Sequence, residues 1–440
     1  MYFIYSLATA VGVVLLSPYF VLKGIRHKKY LSNLSERLGK IPHDVAARAA
    51  ARSGSIWIHA VSVGEVLAAV PLARRLKTCY PDRPLFVSTT TAAGQEIARQ
   101  RLDFVDAFFY FPLDWAWCVR RVLRVLRPSA IVILETEIWP NFLRESGRMK
   151  VPVIFVNARI SQRSFRRFRL ARPLVDSLFK DAMANASAFL AQTHGDAQRL
   201  IEMGAPEGIV DVTGNLKYDG EPPAIGEFGD WLGEQLRQQE RWPVVVAGSV
   251  AADEDESVLA AYDIVQRQWR HALLILAPRK PERFDAAAQV AAHAGWKVVR
   301  RSQLDPSSAL DEDADVLLLD SIGELGGIYS LAEAVFIGGS LVSSGGHNIL
   351  EPAWFFRPPV FGPSMDNFRE MAAQFLSARA GLQVTSGEHL GRTWAKLIGD
   401  QSLTERMGRA ARALVERNRG ATAHSLNRIA AILSASRSGM

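Results

Sequence analysis

Cysteine is scarce in this chain: 440 residues contain two, Cys79 and Cys118. This excludes a disulfide-stabilised secreted domain and a cysteine-ligated metal centre, and it favours a reducing compartment. Low-complexity runs are also missing, and 48% of the residues are hydrophobic, which excludes a disordered chain. At about 150 residues per domain, the length indicates two or three domains.

Acidic residues are few in the first part of the chain. The net charge is +7, but residues 1–200 are strongly basic, whereas the remainder is acidic overall. A basic half predicts an anionic partner, either a phosphate-bearing membrane surface or a nucleic acid. The sequence contains no nucleic-acid recognition module, so a membrane-tethered nucleic-acid-binding protein is the weaker alternative.

Charged residues are absent from residues 1–22, and a basic cluster follows at Lys23, Arg26, Lys28 and Lys29. A helix of this length extends about 33 Å, which is close to the hydrocarbon width of a bilayer. A secretory signal has its basic residues before the apolar stretch, and here they follow it. We expect residues 1–22 to be a membrane anchor, spanning or interfacial, with the rest of the chain on the cytoplasmic side. The alternative is a hydrophobic helix docked on the protein's own core.

Short apolar runs alternate with segments of helical period from residue 55 onward. Five runs are predicted as buried strands before a linker: SIWIHAV, PLFVSTT, AIVILET, VPVIFVN and SAFLAQT. Seven more follow it: WPVVVAGS, ALLILAPR, WKVV, DVLLLD, AVFIGGS, PPVFGP and GLQVTS. Such strands with helices between them indicate two open parallel sheets. Glycines and prolines place the boundary within residues 215–235, which predicts domains at 23–220 and 221–440.

Polar residues follow several of the predicted strands. Ligands of open parallel sheets bind at the carboxyl ends of the strands, so two such domains are expected to face each other across a cleft. Glu65 opens a helix after the first strand, Glu135 follows an apolar run, and Lys217 precedes the linker. The alternatives are a helix-start acid for Glu65, an ion-paired edge carboxylate for Glu135 and a solvated lysine for Lys217.

Three strand-to-helix turns of the second domain are typical of phosphate sites. The segment GGSLVSSGGHNILEP is expected to offer free backbone N–H groups near Asn348, Arg279 ends a strand, and DSIGEL contains Gly323 and Glu324. Each is individually an ordinary turn, but three in one sheet favour a nucleotide site. Three histidines are isolated in the sequence and are predicted to be structural or hydrogen-bonding residues: His59, His194 and His347.

Seven motifs in order along residues 59–353 resemble the lipid A 3-deoxy-D-manno-octulosonic acid (Kdo) transferases: HAVSVGE, LETEIWPN, NARISQRS, TGNLKYD, APRKPERF, DSIGEL and GGSLVSSGGHNILEPA. The resemblance implies an α/β fold of glycosyltransferase B type, with two Rossmann-like domains facing across a cleft and an N-terminal membrane-anchor helix. It implies inverting transfer of Kdo from CMP-Kdo to a lipid A precursor in lipopolysaccharide core biosynthesis, without a metal or another cofactor. The place implied is the cytoplasmic face of the bacterial inner membrane, at an anionic membrane surface.

The resemblance also implies roles for individual residues. Glu65 is similar in position to the catalytic base, and Glu135 and Lys217 to the groups that support the transition state. The residues implied to bind CMP are Ser249, Pro278, Arg279, Ile322, Gly323, Glu324, Asn348, Ile349, Leu350 and Glu351. The sequence departs from the family in the segment AGSVAADEDE, and Lys280 replaces a histidine, which keeps positive charge but loses the acceptor capacity of imidazole.

Basic residues between the fourth and fifth predicted strands suit a phosphorylated glycolipid, although a solvated charged helix is the alternative. They are Arg159, Arg163, Arg166, Arg167, Arg169 and Arg172. Another nucleotide-sugar glycosyltransferase, such as a lipid disaccharide synthase, is the main alternative function. A nucleotide-sugar epimerase shares the architecture but acts on a soluble substrate, so the expected anchor counts against it.

Overall fold

Packing divides the chain into two units. The computed structural model describes residues 1–27, 33–52, 54–305 and 307–438. Unit 1 comprises Met1–Gly220 and Asn418–Met440, and unit 2 comprises Glu221–Arg417. The division after Gly220 falls inside the segment that glycines and prolines mark as a linker.

Unit 1 contains a parallel sheet. Across its described residues the strands are β1 (Ser55–His59), β2 (Leu85–Thr89), β3 (Ala107–Tyr110), β4 (Pro128–Leu134), β5 (Val153–Ala158), β6 (Ala188–Ala191) and β7 (Val210–Val212). Their order in the sheet is β3-β2-β1-β4-β5-β6-β7. The five apolar runs predicted from the sequence form β1, β2, β4, β5 and β6. The two edge strands are not predicted, because β3 and β7 are short and β7 is only partly buried.

Helices cover both faces of this sheet. They are α1 (Tyr2–His27), α2 (Leu34–Arg37), α3 (His43–Ala51), α4 (Val63–Cys79), α5 (Ala92–Arg101), α6 (Ala116–Leu126), α7 (Pro140–Arg148), α8 (Gln162–Met183) and α9 (His194–Glu202). Adjacent side chains of β1 are buried on opposite faces: Trp57 contacts Phe109 and Phe142, whereas Ile56 and Ile58 lie in the other core. The strand therefore reads as a continuous apolar run.

Helix α1 contacts the rest of unit 1 through polar side chains. Asn141 Nδ2 donates to Ser6 Oγ at 3.0 Å, and Trp115 Nε1 donates to Thr9 Oγ1 at 3.3 Å. The opposite side of the helix is apolar and exposed, with Phe3, Ile4, Leu7, Val11 and Leu15. Residues 1–22, expected to be a membrane anchor, thus belong to a longer helix that contacts the rest of this unit through the polar side chains of Ser6 and Thr9.

No helix among the described residues combines the length and the apolar character needed to cross a bilayer. The basic cluster after residue 22 is described only in part. Lys28 and Lys29 lie outside the described residues, and of Lys23 and Arg26 only the helical backbone is described.

Unit 2 contains a second parallel sheet. In its described part the strands are β8 (Val244–Val250), β9 (Leu273–Pro278), β10 (Val298–Arg300), β11 (Val316–Leu318), β12 (Ala334–Ile337), β13 (Pro359–Phe361) and β14 (Leu382–Gln383). The order is β10-β11-β9-β8-β12-β13-β14. Each of the seven apolar runs predicted after the linker overlaps one of these strands.

The helices of unit 2 are α10 (Gly226–Gln238), α11 (Asp255–Gln266), α12 (Phe284–His293), α13 (Leu325–Ile328), α14 (Leu350–Trp354), α15 (Arg369–Ser377), α16 (Gly387–Gly399) and α17 (Gln401–Arg417). One core cluster joins β8, β9 and β12 to α11 and α16, with Trp394 and Tyr262 fully buried in it. Each open sheet therefore has its own core, as the alternating pattern predicts.

The last helix, α18 (Ala421–Ser438), corrects the predicted domain limits. The sequence predicts it within a second domain of residues 221–440, but Ile429 and Leu433 are buried in the core of unit 1 with side chains of α4. Unit 2 ends at Arg417. The sequence did not indicate that the end of the chain packs on the first unit, because a helix with apolar side chains on one side fits the face of either sheet.

Candidate active site

Glu65 lies in the first turn of α4 with 8% of its surface exposed. Its carboxylate accepts the backbone N–H of Val61 at 2.7 Å and the hydroxyl of Ser62 at 2.9 Å. Burial raises the pKa of Glu65 to about 7, and the nearby charges of Glu135 and Glu137 contribute in the same direction. The helix-start position predicted from the sequence is correct, and the raised pKa suits a general base near neutral pH.

Glu65 belongs to a cluster of interacting charges at the carboxyl edge of the first sheet. Burial lowers the pKa of Lys217 and Arg159 lowers it further, while Glu135 and Glu65 act in the opposite direction. Burial also raises the pKa of Glu137. The structure thus brings the three predicted catalytic residues into one electrostatic neighbourhood. Arg159, which the sequence predicts in the basic surface, belongs to the same neighbourhood, since its charge lowers the pKa of Lys217.

Buried amides hold the turn that carries Lys217. The side-chain oxygen of Asn157 accepts the N–H of Leu216 at 3.0 Å, and Gln192 Nε2 donates to the Asn157 carbonyl at 3.1 Å. Asn215 Nδ2 donates to Gln192 Oε1 at 2.9 Å, and its own Oδ1 accepts the N–H of Lys217 at 3.0 Å. Sequence reasoning missed this network. The only signals were Asn157 in the NARISQRS motif and Asn215 in TGNLKYD.

Three non-glycine residues in or just after strands have left-handed backbone. The φ angles are 57° at Glu135, 59° at Asn157 and 58° at Ser249. This conformation costs on the order of 1–3 kcal/mol and tends to occur where a site requires it. All three residues lie in motifs singled out from the sequence. The strain is therefore independent support for a site at these strand ends.

The second sheet also has a cluster of polar side chains at the carboxyl ends of its strands. Arg279 follows the end of β9 and is exposed. Burial lowers the pKa of His347 to about 4, and the charge of Arg279 lowers it as well. Burial raises the pKa of Glu351, opposed by a hydrogen bond from Asn348 and by Arg279. Asn348 donates to Glu351 at 3.0 Å and accepts the N–H of Leu350 at 3.1 Å. Arg279, Asn348 and Glu351, predicted from separate motifs, therefore lie close together.

The DSIGEL turn is built differently. Ile322 is 80% exposed, Gly323 has φ 97°, and Glu324 accepts three hydrogen bonds from the guanidinium of Arg301. Three other predicted site residues have buried side chains, so a ligand would meet their backbone: Pro278, Ile349 and Leu350. Among the described residues, no three His, Cys, Asp or Glu side chains are grouped to hold a metal ion.

The glycine-rich loop has several of its N–H groups paired within the protein. The N–H groups of Gly339, Ser340 and Leu341 donate to the carboxylate of Glu254, and that of Gly346 donates to the Gly339 carbonyl, whereas free N–H groups near Asn348 stay a prediction. Helix α14 after this loop has only five residues. An anion bound here needs side chains such as Arg279, because much of the loop backbone is already paired.

Comparisons with known proteins agree with the motifs. A family model described as 3-deoxy-D-manno-octulosonic-acid transferase (kdotransferase) matches residues 32–220. The chain is 32% identical over 423 residues to the 3-deoxy-D-manno-octulosonic acid transferase of Haemophilus influenzae, covering 95% of this chain and 96% of that protein. It is also 32% identical over 387 residues to the enzyme of that name from Bordetella pertussis, covering 84% and 86% of the two chains.

Solved structures show the fold. The Anabaena HepE protein in complex with UDP superposes with a TM-score of 0.55 at 15% identity, covering 87% of this chain and 100% of that one. A putative UDP-N-acetylglucosamine 2-epimerase from Listeria monocytogenes gives a TM-score of 0.54 at 13% identity, covering 86% and 96%. At these identities the likeness extends to the architecture alone.

Proposed function

The chain belongs to the 3-deoxy-D-manno-octulosonic acid transferase family, and we propose that it moves Kdo from CMP-Kdo to a lipid A precursor with inversion. It is a glycosyltransferase that adds Kdo in lipopolysaccharide biosynthesis. The observation that carries the proposed mechanism is the buried Glu65, whose pKa is raised to about 7 among the charges of Glu135, Glu137 and Lys217.

Glu65 acts as the general base. The attacking hydroxyl of the acceptor transfers its proton to the Glu65 carboxylate as its oxygen forms a bond to the anomeric carbon of Kdo. The bond between that carbon and the phosphate oxygen of CMP breaks in the same displacement, which inverts the configuration. A base with a pKa near the working pH is effective, because enough of it is ionised and the proton transfer is still favourable.

Lys217 and Glu135 support this step electrostatically. A largely buried ammonium group has stronger effects than one in water, since the surroundings screen it less. The amide network around Asn157 and Asn215 keeps the Lys217 turn in place before substrate binds. A group fixed in this way loses little energy to rearrangement as charge develops.

Unit 2 binds the donor. Arg279 is an exposed cation at a strand end, and a guanidinium can form two parallel hydrogen bonds to a phosphate. We propose that Arg279 binds the phosphate and stabilises the negative charge that develops on the departing CMP. Asn348 and Glu351 provide neighbouring polar groups for the nucleotide. Another nucleotide-sugar donor would need the same kind of phosphate contact, so the donor must be identified by assay.

The acceptor approaches from an anionic membrane surface, at the cytoplasmic face of the bacterial inner membrane. Exposed side chains of α1 support an interfacial position: Phe3 is 79%, Ile4 65% and Leu15 73% exposed, while the polar side of the helix contacts unit 1. A helix with its apolar side turned outward is stabilised by inserting that side into the lipid headgroup region.

Helix α8 adds charge and further apolar surface. Leu170 and Leu174 are 79% and 76% exposed. Exposed arginines surround them: Arg163, Arg166, Arg167, Arg169 and Arg172. Basic side chains near an anionic leaflet contribute about 1 kcal/mol each. The combination supports contact with lipid headgroups and with a phosphorylated glycolipid acceptor.

The deciding experiment is incubation of the full chain with CMP-Kdo and a tetraacylated lipid A precursor, with product masses as the readout. The proposal predicts a mass increase of one or more Kdo units with CMP-Kdo, and none with UDP-sugars. Transfer from a UDP-sugar alone would identify a different glycosyltransferase. Binding of DNA or RNA without transfer would favour the nucleic-acid alternative.

A further inference from the structure

Glu254 is a fully buried carboxylate that accepts four backbone hydrogen bonds. Its Oε2 accepts the N–H groups of Ala251 at 2.9 Å and Gly339 at 2.6 Å. Its Oε1 accepts those of Ser340 and Leu341, both at 2.8 Å. A carboxylate can be buried when its oxygens are satisfied in this way, and such charge-assisted bonds are stronger than neutral ones.

These four donors come from two neighbouring strand ends. Strands β8 and β12 pair in parallel in the centre of the second sheet. Ala251 directly follows β8, whose penultimate residue is the left-handed Ser249, and Gly339 lies two residues beyond the end of β12. One side chain therefore joins the strand end that carries Ser249 to the loop that leads to Asn348.

A hydrogen bond joins the two ends of the loop that Glu254 holds, and the loop packs against His347, next to the residues proposed to bind CMP. The N–H of Gly346 donates to the Gly339 carbonyl at 2.7 Å. A Cβ on Gly339 would lie 2.9 Å from Nε2 of His347, so the imidazole fits directly against this glycine. His347 in turn interacts with the charge of Arg279. A shift at Gly339 would move His347 and, with it, the residues that follow.

We propose that Glu254 is a positioning residue for donor binding, an internal anion that occupies the loop amides and fixes the loop for CMP. This rests on the proposed function, in which unit 2 binds CMP-Kdo. Backbone amides arranged like those of Gly339, Ser340 and Leu341 commonly bind phosphate. Here the protein's own carboxylate fills that place, so the phosphate is left to Arg279.

The first test is Glu254→Gln in the full chain. The amide keeps the shape, but the oxygen that becomes NH₂ can no longer accept its two N–H groups. We expect at least a tenfold rise in the CMP dissociation constant by calorimetry and in KM for CMP-Kdo. The KM for the acceptor and kcat at saturating donor should stay within threefold. Glu254→Asp, which keeps both acceptor oxygens on a shorter side chain, should recover part of the affinity.

The matched control is Glu256→Gln, which removes the same charge from an exposed position of the same segment. It should bind CMP like the wild type. Equal CMP affinity in Glu254→Gln and the wild type would overturn the role of Glu254 while leaving the transferase assignment intact. A wild-type chain that neither binds CMP nor uses CMP-Kdo would instead contradict the proposed function.

A measurement on the wild type decides the matter even if Glu254→Gln fails to fold. Hydrogen exchange at the amides of Gly339, Ser340 and Leu341 should already be slow in the free enzyme, and CMP should change it by less than threefold. Fast exchange that becomes slow only when CMP binds would show that these amides bind the phosphate. The proposal would then be wrong.

Discussion

The side-chain oxygen of Asn157 accepts the backbone N–H of Leu216 across 59 positions of sequence, at 3.0 Å. Asn157 is the penultimate residue of strand β5 in the first sheet, whereas Leu216 begins the turn that carries Lys217. The bond fixes that turn relative to the strand that carries Asn157. The position of Lys217, which we propose to act in catalysis, thus depends on an amide that itself carries no charge.

Replacing Asn157 by Gly tests this dependence. Glycine accepts the left-handed backbone, with φ 59° at Asn157, so the variant removes the hydrogen bond without adding strain. A misplaced Lys217 should lower kcat by about 10- to 100-fold, the scale for small displacements at a reacting centre. The donor KM should be unchanged, because it depends on unit 2.

Lys150→Gly is the matched control for this substitution. Lys150 is also left-handed, with φ 55°, but it is exposed in a surface turn of the same unit. It should turn over like the wild type. Equal kcat for both glycine variants would show that the Asn157 bond does not position Lys217.

Glu65→Gln should lose on the order of 100-fold or more in turnover, the usual scale for a general base. Glutamine retains an oxygen that can accept the Val61 N–H, so the melting temperature and the CMP affinity should stay the same. Glu96→Gln, an exposed change on α5, serves as the control. Near-normal turnover of Glu65→Gln would remove Glu65 from the mechanism.

The pH dependence should report the same carboxylate. Because the base must be ionised and the pKa of Glu65 is about 7, kcat/KM should rise with pH through neutrality on its acid side. Glu137→Gln removes a negative charge that raises this pKa, so the rising limb should move to lower pH. The pH profile of kcat/KM should be measured from pH 5 to about 9 in both proteins. If its rising part lay at the same pH in Glu137→Gln and the wild type, the assignment of Glu65 as the titrating base would be contradicted.

The sequence singled out Glu65 and Glu135 because both lie in segments that follow apolar strands of the first sheet. Glu135 directly follows β4, whose burial is evident from its apolar composition, and Glu65 lies in the first turn of the helix that follows β1. Gln192 and Asn157 could not be assigned, since their role arises only when distant strand ends are brought together. Glu254 lies in the acidic run ADEDE, whose composition is typical of a solvated surface, so the sequence did not indicate its burial. Its hydrogen bonds form only because the glycine-rich loop packs over it.

Arg279→Ala should weaken CMP binding by about 1.5–3 kcal/mol, the range for a hydrogen bond to a charged group. The same change should raise the pKa of His347 above about 4, because it removes one positive charge that lowers it, while burial remains. Calorimetry and an NMR titration measure the two effects. Arg267→Ala, an exposed arginine paired with Asp263 on α11, should alter neither.

The membrane proposal depends on the outward side of α1. Replacing Phe3, Ile4 and Leu7 together by Ser leaves the polar contacts of Ser6 and Thr9 with unit 1 in place, so the fold should be retained. Each exposed apolar side chain that enters lipid contributes roughly 1.5–3 kcal/mol when fully buried. Even partial insertion therefore predicts at least about tenfold weaker binding to anionic vesicles.

Activity separates this effect from damage to the site. Activity of the triple variant on acceptor embedded in vesicles should fall, whereas activity on detergent-dispersed acceptor should stay near that of the wild type. Residual vesicle binding should weaken further with salt, because the arginines of α8 act through screened charge. Serine substitutions at Trp242 and Leu376, exposed apolar residues of unit 2, should leave vesicle binding unchanged. If the triple variant bound vesicles as tightly as this control in low and high salt, the outward side of α1 would not be the membrane contact.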